Sequence, residues 1–252
     1  MTEGMDLLIA GLAAVFAGAV NALAGGGTLI TFPVLLLIGV PPLSANITNT
    51  VALCPGYLGA TLAQTGDLGG QKKRLFLMLP VGLTGGAVGA TLLLMTTEEL
   101  FQALVPYLIL TASLLVAIQE PVRKRLARRP EAETRAPGIW SMVPIGLAAV
   151  YGGYFGAGLS VIVLAALALT LDDSLTRLNA SKQAIALSAN IAAAVYFLFS
   201  GRVLWLTALI MAAGALAGGF LGGRLAGSIK ASTLRRIVVA IGITVAVIYF
   251  RT

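Results

Sequence analysis

Long apolar runs joined by short polar connections set the pattern of this 252-residue chain. The first run extends from Met5 to Val40, far beyond the roughly 20 residues that carry a helix across a bilayer. Later runs predict span 2 at 44–64, span 3 at 75–95 and span 4 at 100–119. After a polar stretch at 120–138, another overlong run within 139–171 predicts span 5. Spans 6, 7 and 8 fall near 173–199, 203–226 and 232–250. The expected fold is all-α and polytopic, with about eight transmembrane helices of roughly 20 residues each.

Both overlong runs contain glycine clusters. Gly25, Gly26 and Gly27 interrupt the first, and Gly152, Gly153, Gly156 and Gly158 the second. Each glycine costs a helix about 1 kcal/mol relative to alanine, so helices 1 and 5 are expected to break there. Broken backbone at membrane depth is tolerated where it is buried in protein or lines a polar cavity. Transporters use such breaks to aim the N-terminus of a half-helix at a substrate, especially an anion. Taken alone, the first cluster is equally compatible with a kink that eases helix packing.

Recurrence favours the break. Gly11-Leu-Ala-Ala-Val15 returns as Gly146-Leu-Ala-Ala-Val150, 135 positions later. Asn46-Ile-Thr48 returns as Asn179-Ala-Ser181, and Gly85-Gly86-x-x-Gly89 as Gly218-Gly219-x-x-Gly222, each 133 positions later. The chain therefore reads as two four-helix repeats, 1–119 and 139–252, joined by a basic linker at 120–138. Four crossings in each copy would leave both pointing the same way, with a substrate between them near the midplane. The glycines of spans 3 and 7 are small-residue faces, expected to cross at the repeat interface.

Composition narrows the function. The chain is 58% hydrophobic and 11% charged, with a mean hydropathy of +0.95, which leaves no stretch for a soluble domain. It has no histidine and one cysteine, Cys54, so the commonest general base, an intramolecular disulfide and a cysteine metal cluster are all missing. No phosphate-binding loop is visible, and neither enzyme chemistry nor a cofactor is expected. The acidic N-terminus lacks the basic region of a signal peptide, so span 1 is expected to be retained. A net charge of +7 reads as membrane orientation rather than nucleic-acid binding. Lys72, Lys73, Arg74, six linker residues, Arg202 and Arg251 would share one side with both termini, which the positive-inside bias makes cytoplasmic. Arg224, Lys230, Arg235 and Arg236 would lie opposite.

Polar residues within the spans mark a candidate site. Asn46, Thr48, Asn49 and Thr50 open span 2, and Asn179, Ser181, Lys182 and Gln183 lie early in span 6. Such side chains commonly serve interhelical hydrogen bonds worth about 0.6 kcal/mol each, but repetition after each break points to a shared cavity. Lys182 is expected nine residues into span 6, about 13 Å deep at 1.5 Å per residue. A lysine near a helix centre costs on the order of 2.5–3.5 kcal/mol, so it should face a cavity or partner unless it snorkels beside Arg177. All ten acids lie at span ends or in loops, which suits an anionic substrate. The expected substrate-binding set is Asn21, Gly25, Gly26, Gly27, Thr28, Thr48, Asn49, Gly156, Gly158, Ser160, Asn179, Ser181 and Lys182.

Several stretches resemble a known family. Gly18-Ala-Val-Asn-Ala-Leu-Ala-Gly-Gly-Gly-Thr28, the Pro41-Pro42 turn, Thr48-Asn49 leading into Pro55-Gly56, and Tyr151-Gly-Gly-Tyr-Phe-Gly-Ala-Gly158 are similar to the TauE/SafE sulfite exporters, of the 4-toluene sulfonate uptake permease type. The resemblance covers nearly the whole chain. It implies a multi-pass transporter of a bacterial or archaeal cytoplasmic membrane that moves sulfite, a sulfonate or a related organic anion, with export the expected direction. Family members often carry lysine after the first Thr-Asn, where this chain has Thr50, so Lys182 lacks a counterpart in the first copy. The expected partners are a small anion and membrane lipid; nucleic acid is excluded and a homodimer is left open. The alternative of a different class is a non-transporting membrane scaffold or assembly factor, which flux in proteoliposomes would separate from a transporter.

Overall fold

The computed structural model describes residues 3–23, 25–127, 139–171, 173–224 and 231–251. Among them the chain forms ten α-helices, one 3-10 turn and no strand. In the first half these are α1 (Glu3–Leu23), α2 (Thr28–Leu37), α3 (Pro42–Leu62), the 3-10 turn Thr65–Leu68, α4 (Lys72–Leu94) and α5 (Glu98–Ala127). The second half holds α6 (Ile139–Tyr154), α7 (Leu159–Thr170), α8 (Leu175–Leu198), α9 (Trp205–Arg224) and α10 (Ala231–Arg251). Five of these, α1, α4, α5, α9 and α10, are long and apolar enough to cross a membrane. α3 and α8 have the length, at 21 and 24 residues, but carry polar side chains along it. α5 continues to Ala127, into the stretch expected as linker, while 128–138 fall outside the described residues.

The runs expected as single broken helices are helix pairs, α1 with α2 and α6 with α7. Each break reverses the chain. α1 runs parallel to α9, with Gly11 against Gly214, Val15 against Gly218 and Ala19 against Gly222. α3 also runs parallel to α9, with Thr48 at Leu204 and Gly56 at Ala215. Because α1 and α3 point the same way, α2 must return between them. Its ten residues span about 15 Å, half of a hydrocarbon core about 30 Å thick. α2 then stops at Gly39, whose φ of +86° closes the helix while Gly39 and Val40 donate back to Leu36 and Leu35. Pro42 opens α3 at a position that needs no N–H partner. The second half repeats the logic, because α4 runs parallel to both α6 and α8: Gly85 meets Ala149, Gly89 meets Gly153, and Gly86 meets Ala189.

A hairpin that enters and leaves by one face adds no crossing. By chain direction, α1–α5 then start at one end of the bundle and finish at the other, so α6 starts from the end opposite to α1. α5 and α10 accordingly run antiparallel, with Tyr107 at Phe250, Ser113 at Gly242 and Glu120 at Arg235. The helices of α6–α10 therefore run in the direction opposite to their counterparts in α1–α5, unlike the same-direction copies expected from four crossings each. The start of α1 and the end of α10 lie at one end of the bundle with the 95–97 and 199–204 connections. The helices bordering 63–71, 128–138, 171–174 and 225–230 meet at the other end. The helix ends that border the linker and those nearest the termini, expected on one side, thus lie at opposite ends of the bundle.

The two halves interleave. The glycines of α4 pack on α6 and α8, and those of α9 on α1 and α3, rather than on each other. At Gly18, Gly86, Gly89 and Gly218 any Cβ would overlap a carbonyl of the facing helix, so backbone touches backbone. By their contacts Gly85 and Gly89 correspond to Gly214 and Gly218, one helical turn away from the match read in the sequence.

Candidate functional site

The first break is held by its own polar groups. Gly25 and Gly26 take φ of +76° and +96°, a region that side-chain-bearing residues enter only at a cost. The Gly25 N–H donates to Val20 at 2.9 Å, and the Gly27 N–H to Asn21 Oδ1 at 2.7 Å. A Cβ on Gly27 would lie 2.5 Å from the Ala17 carbonyl, so α2 begins folded tightly against α1. Thr28 opens α2 and is buried, as is Asn21, whose Nδ2 has no partner among the described residues.

The second break uses different side chains for the same reversal. Gly156 and Gly158 both have φ of +80°. The Tyr151 hydroxyl donates to the Ala157 carbonyl at 2.8 Å, spanning the turn. Ser160, buried in the first turn of α7, lies against the first break: a Cβ on Gly25 would be 3.1 Å from Ser160 Cβ. Tyr57 of α3 is buried with its hydroxyl beside Ser160, adding a polar group that the sequence pattern did not reveal. The N-terminal ends of α2 and α7 thus approach one point from opposite ends of the bundle.

The remaining expected residues do not join that point. Toward the terminal end, Asn46 Nδ2 donates to the Tyr154 carbonyl at 2.8 Å and Thr48 Oγ1 accepts from Leu204 N–H at 3.1 Å. Asn49 is buried there, its Oδ1 without a partner among the described residues. Toward the linker end, Lys182 Nζ donates to Asn179 Oδ1 at 2.8 Å, and Asn179 Nδ2 donates to Gln64 at 2.8 Å. Ser181 donates to Gln71 at 2.6 Å. Along α3 and its extension, Thr48 and Gln64 are 16 positions apart, about 24 Å at helical rise. Inversion is the reason: matched positions of α3 and α8 go to opposite ends, so the expected single cavity resolves into a central meeting point and two flanking clusters.

A network closes the linker end beside Lys182. Asp173 bonds Arg74 at 2.7 Å and Arg177 at 3.0 Å, with its side chain 4% exposed. Burial pushes the Asp173 carboxyl up, but hydrogen bonds from Arg74, the Ser174 N–H and Arg177 outweigh it and hold the group below the usual range. Its stabilising contribution is therefore complete above the unfolded value of 3.8 and disappears only as pH falls through the lower folded value.

Long apolar helices with exposed apolar faces, two short helices that turn back between them and buried polar pairs describe a multi-pass membrane protein. The family model "Sulfite exporter TauE/SafE" matches residues 10–249. The chain belongs to the TauE/SafE sulfite exporter family. Among similar proteins, a probable membrane transporter protein of Haemophilus influenzae is 28% identical over 242 residues, covering 96% of this chain and 93% of its own. Probable membrane transporter protein ORF9 of a Sinorhizobium species is 25% identical, covering 94% and 89%. Probable membrane transporter protein YfcA of Escherichia coli K12 is 24% identical, covering 81% and 75%.

Proposed function

We propose that the chain moves a small sulfur-containing anion, sulfite or an organosulfonate, outward across the cytoplasmic membrane. The meeting of the α2 and α7 N-termini at Gly25 and Ser160 carries this reading. Each helix N-terminus presents about half a positive elementary charge, and the described carboxylates lie toward the two ends of the bundle. The family's description as sulfite exporters supports both substrate and direction. In this reading Asn21, Gly25–Gly27, Thr28, Gly156, Gly158 and Ser160 form the mid-depth site. Thr48 with Asn49, and Asn179 with Ser181 and Lys182, flank it at the two ends.

Orientation follows from charge. All seventeen Lys and Arg except Arg202 and Arg251 fall, by chain position, in the helices and connections of the linker half. The positive-inside bias then makes the linker end cytoplasmic and places both termini outside, reversing the side expected for the termini. The same excess of charge draws anions toward the cytoplasmic mouth.

Proteoliposomes loaded with sulfite or methanesulfonate test the reading. Flux above that of empty liposomes is expected with at least one of them, and none with either would sink it. Lys182 should matter for equilibrium binding of the preferred anion to the purified protein. Hydrogen bonds to a charged group are worth about 1.5–3 kcal/mol, so Lys182→Gln is expected to weaken the preferred anion roughly ten- to hundredfold. Lys182→Glu should be worse, and Lys182→Arg should not restore affinity, because a planar guanidinium needs a different cavity. Equal dissociation constants across the series would show that Lys182 only anchors α8 through Asn179.

A further inference from the structure

Arg235 stands among the connection charges in the sequence, yet in the fold its side chain is 5% exposed. It belongs to the stripe Arg235, Val238, Gly242 and Ala246, spaced three and four residues apart, that α10 turns into the bundle. Its Nη1 donates to Glu120 of α5. Its Nε and Nη2 are buried and have no partner among the described residues. Those two nitrogens form one edge of the planar guanidinium, the kind of edge that pairs with two oxygens of one anion. Buried donors are almost always satisfied in native structures, so an empty pair on a charged group points to a missing ligand.

The surroundings locate that edge. One turn along α10, Val238 packs on Gly26, and Val116 of α5 packs on the same glycine. Gln119 follows Val116 on the inward stripe of α5, is 3% exposed, and leaves its Oε1 without a partner among the described residues. Turning that carboxamide about its last torsion presents an N–H donor instead. A buried arginine fork and an uncommitted carboxamide thus stand one turn from the first break, on its linker side.

We infer that Arg235 and Gln119 form an oxyanion subsite between the linker-end mouth and the break at Gly26, taking a sulfonate or sulfite through two oxygens on the Nε–Nη2 edge. The place of this subsite on a path rests on the transport reading; its binding of an oxyanion does not. Glu120 already balances the arginine charge, so the fork selects by geometry, favouring paired oxygens over a spherical halide. A phospholipid phosphate presents the same pair of oxygens, and the test must separate that source from a free anion.

Calorimetric titration of the purified full chain in phosphatidylcholine nanodiscs, with sulfite, methanesulfonate and chloride, reads the subsite directly. Wild type is expected to bind the two sulfur oxyanions more tightly than chloride. Arg235→Lys keeps the charge and the pairing with Glu120 but loses the fork, and is expected to weaken oxyanion binding by about tenfold or more with an unchanged melting temperature. Arg235→Gln should weaken it at least as much. Both variants binding like wild type would overturn the subsite. In phosphatidylglycerol discs, native mass spectrometry reveals a lipid occupant: phosphatidylglycerol retained by wild type and lost in Arg235→Lys, with no anion titration in phosphatidylcholine, overturns the free-anion assignment. Arg235-dependent binding without flux in liposomes would leave the subsite standing and sink the transport reading. Flux and binding untouched by Arg235→Lys would do the reverse.

Discussion

In intact cells, an impermeant maleimide is expected to label cysteines placed at Gly4 and at Glu99 and to miss one at Asp67, with Cys54 replaced by serine. All three positions are exposed, so accessibility to the reagent depends on the side of the membrane alone. Gly4 begins α1 and Glu99 begins α5, and both helices start at the terminal end. Asp67 lies in the 3-10 turn between α3 and α4, at the linker end. Permeabilising the membrane should bring Asp67→Cys up to the level of the others. The informative position is Gly4. Labelling at Glu99 with protection at Gly4 would mean that α1 and α2 together cross the bilayer once, which would overturn the inverted arrangement.

That position also shows where sequence and structure part. Apolar runs, glycine clusters and their recurrence about 133 to 135 positions apart are plain in the chain. What a glycine cluster does to chain direction is not. A kink and a reversal need the same residues, and they differ only in what the following segment packs against. Here Asn21 takes the Gly27 N–H and Ala17 presses on Gly27, interactions that fold α2 back along α1. Counting each break as a crossing flipped the N-terminus, and it flipped every connection after α7. The two flips together set Arg235 and Arg236 apart from Lys72, Lys73 and Arg74, which lie toward the same end of the bundle.

The same step explains the site. With parallel copies, Asn46–Asn49 and Asn179–Lys182 would face one cavity; with inverted copies they flank it from opposite ends, and the two glycine breaks, with Asn21, Thr28 and Ser160, occupy the middle. Tyr57 escaped notice because one tyrosine in an apolar helix carries no sequence signal, and its value comes from a tertiary contact with Ser160. Arg235 did carry a signal. It shares a spacing of three and four with Val238, Gly242 and Ala246, a helical face that also packs on α5 and α2.

Replacing Gly25 by leucine is expected to reduce anion flux in proteoliposomes to that of empty vesicles, whereas Gly39→Leu should leave it near wild type. The pair separates space from strain. Both glycines sit at positive φ, +76° for Gly25 and +86° for Gly39, so leucine at either should cost the fold about 1–2 kcal/mol for entering the left-handed region. Their surroundings differ. Nothing lies within 4 Å of a Cβ at Gly39, while one at Gly25 would be 3.1 Å from Ser160 Cβ, with three further carbons to place where α2 and α7 meet. Melting temperatures should fall in both variants, further at Gly25, where crowding adds to the strain, and flux should fall in that one alone. Loss of flux in both would assign the effect to backbone strain and remove the argument for a path at Gly25. Normal flux in Gly25→Leu would show that the anion passes elsewhere, leaving the two half-helices as packing elements.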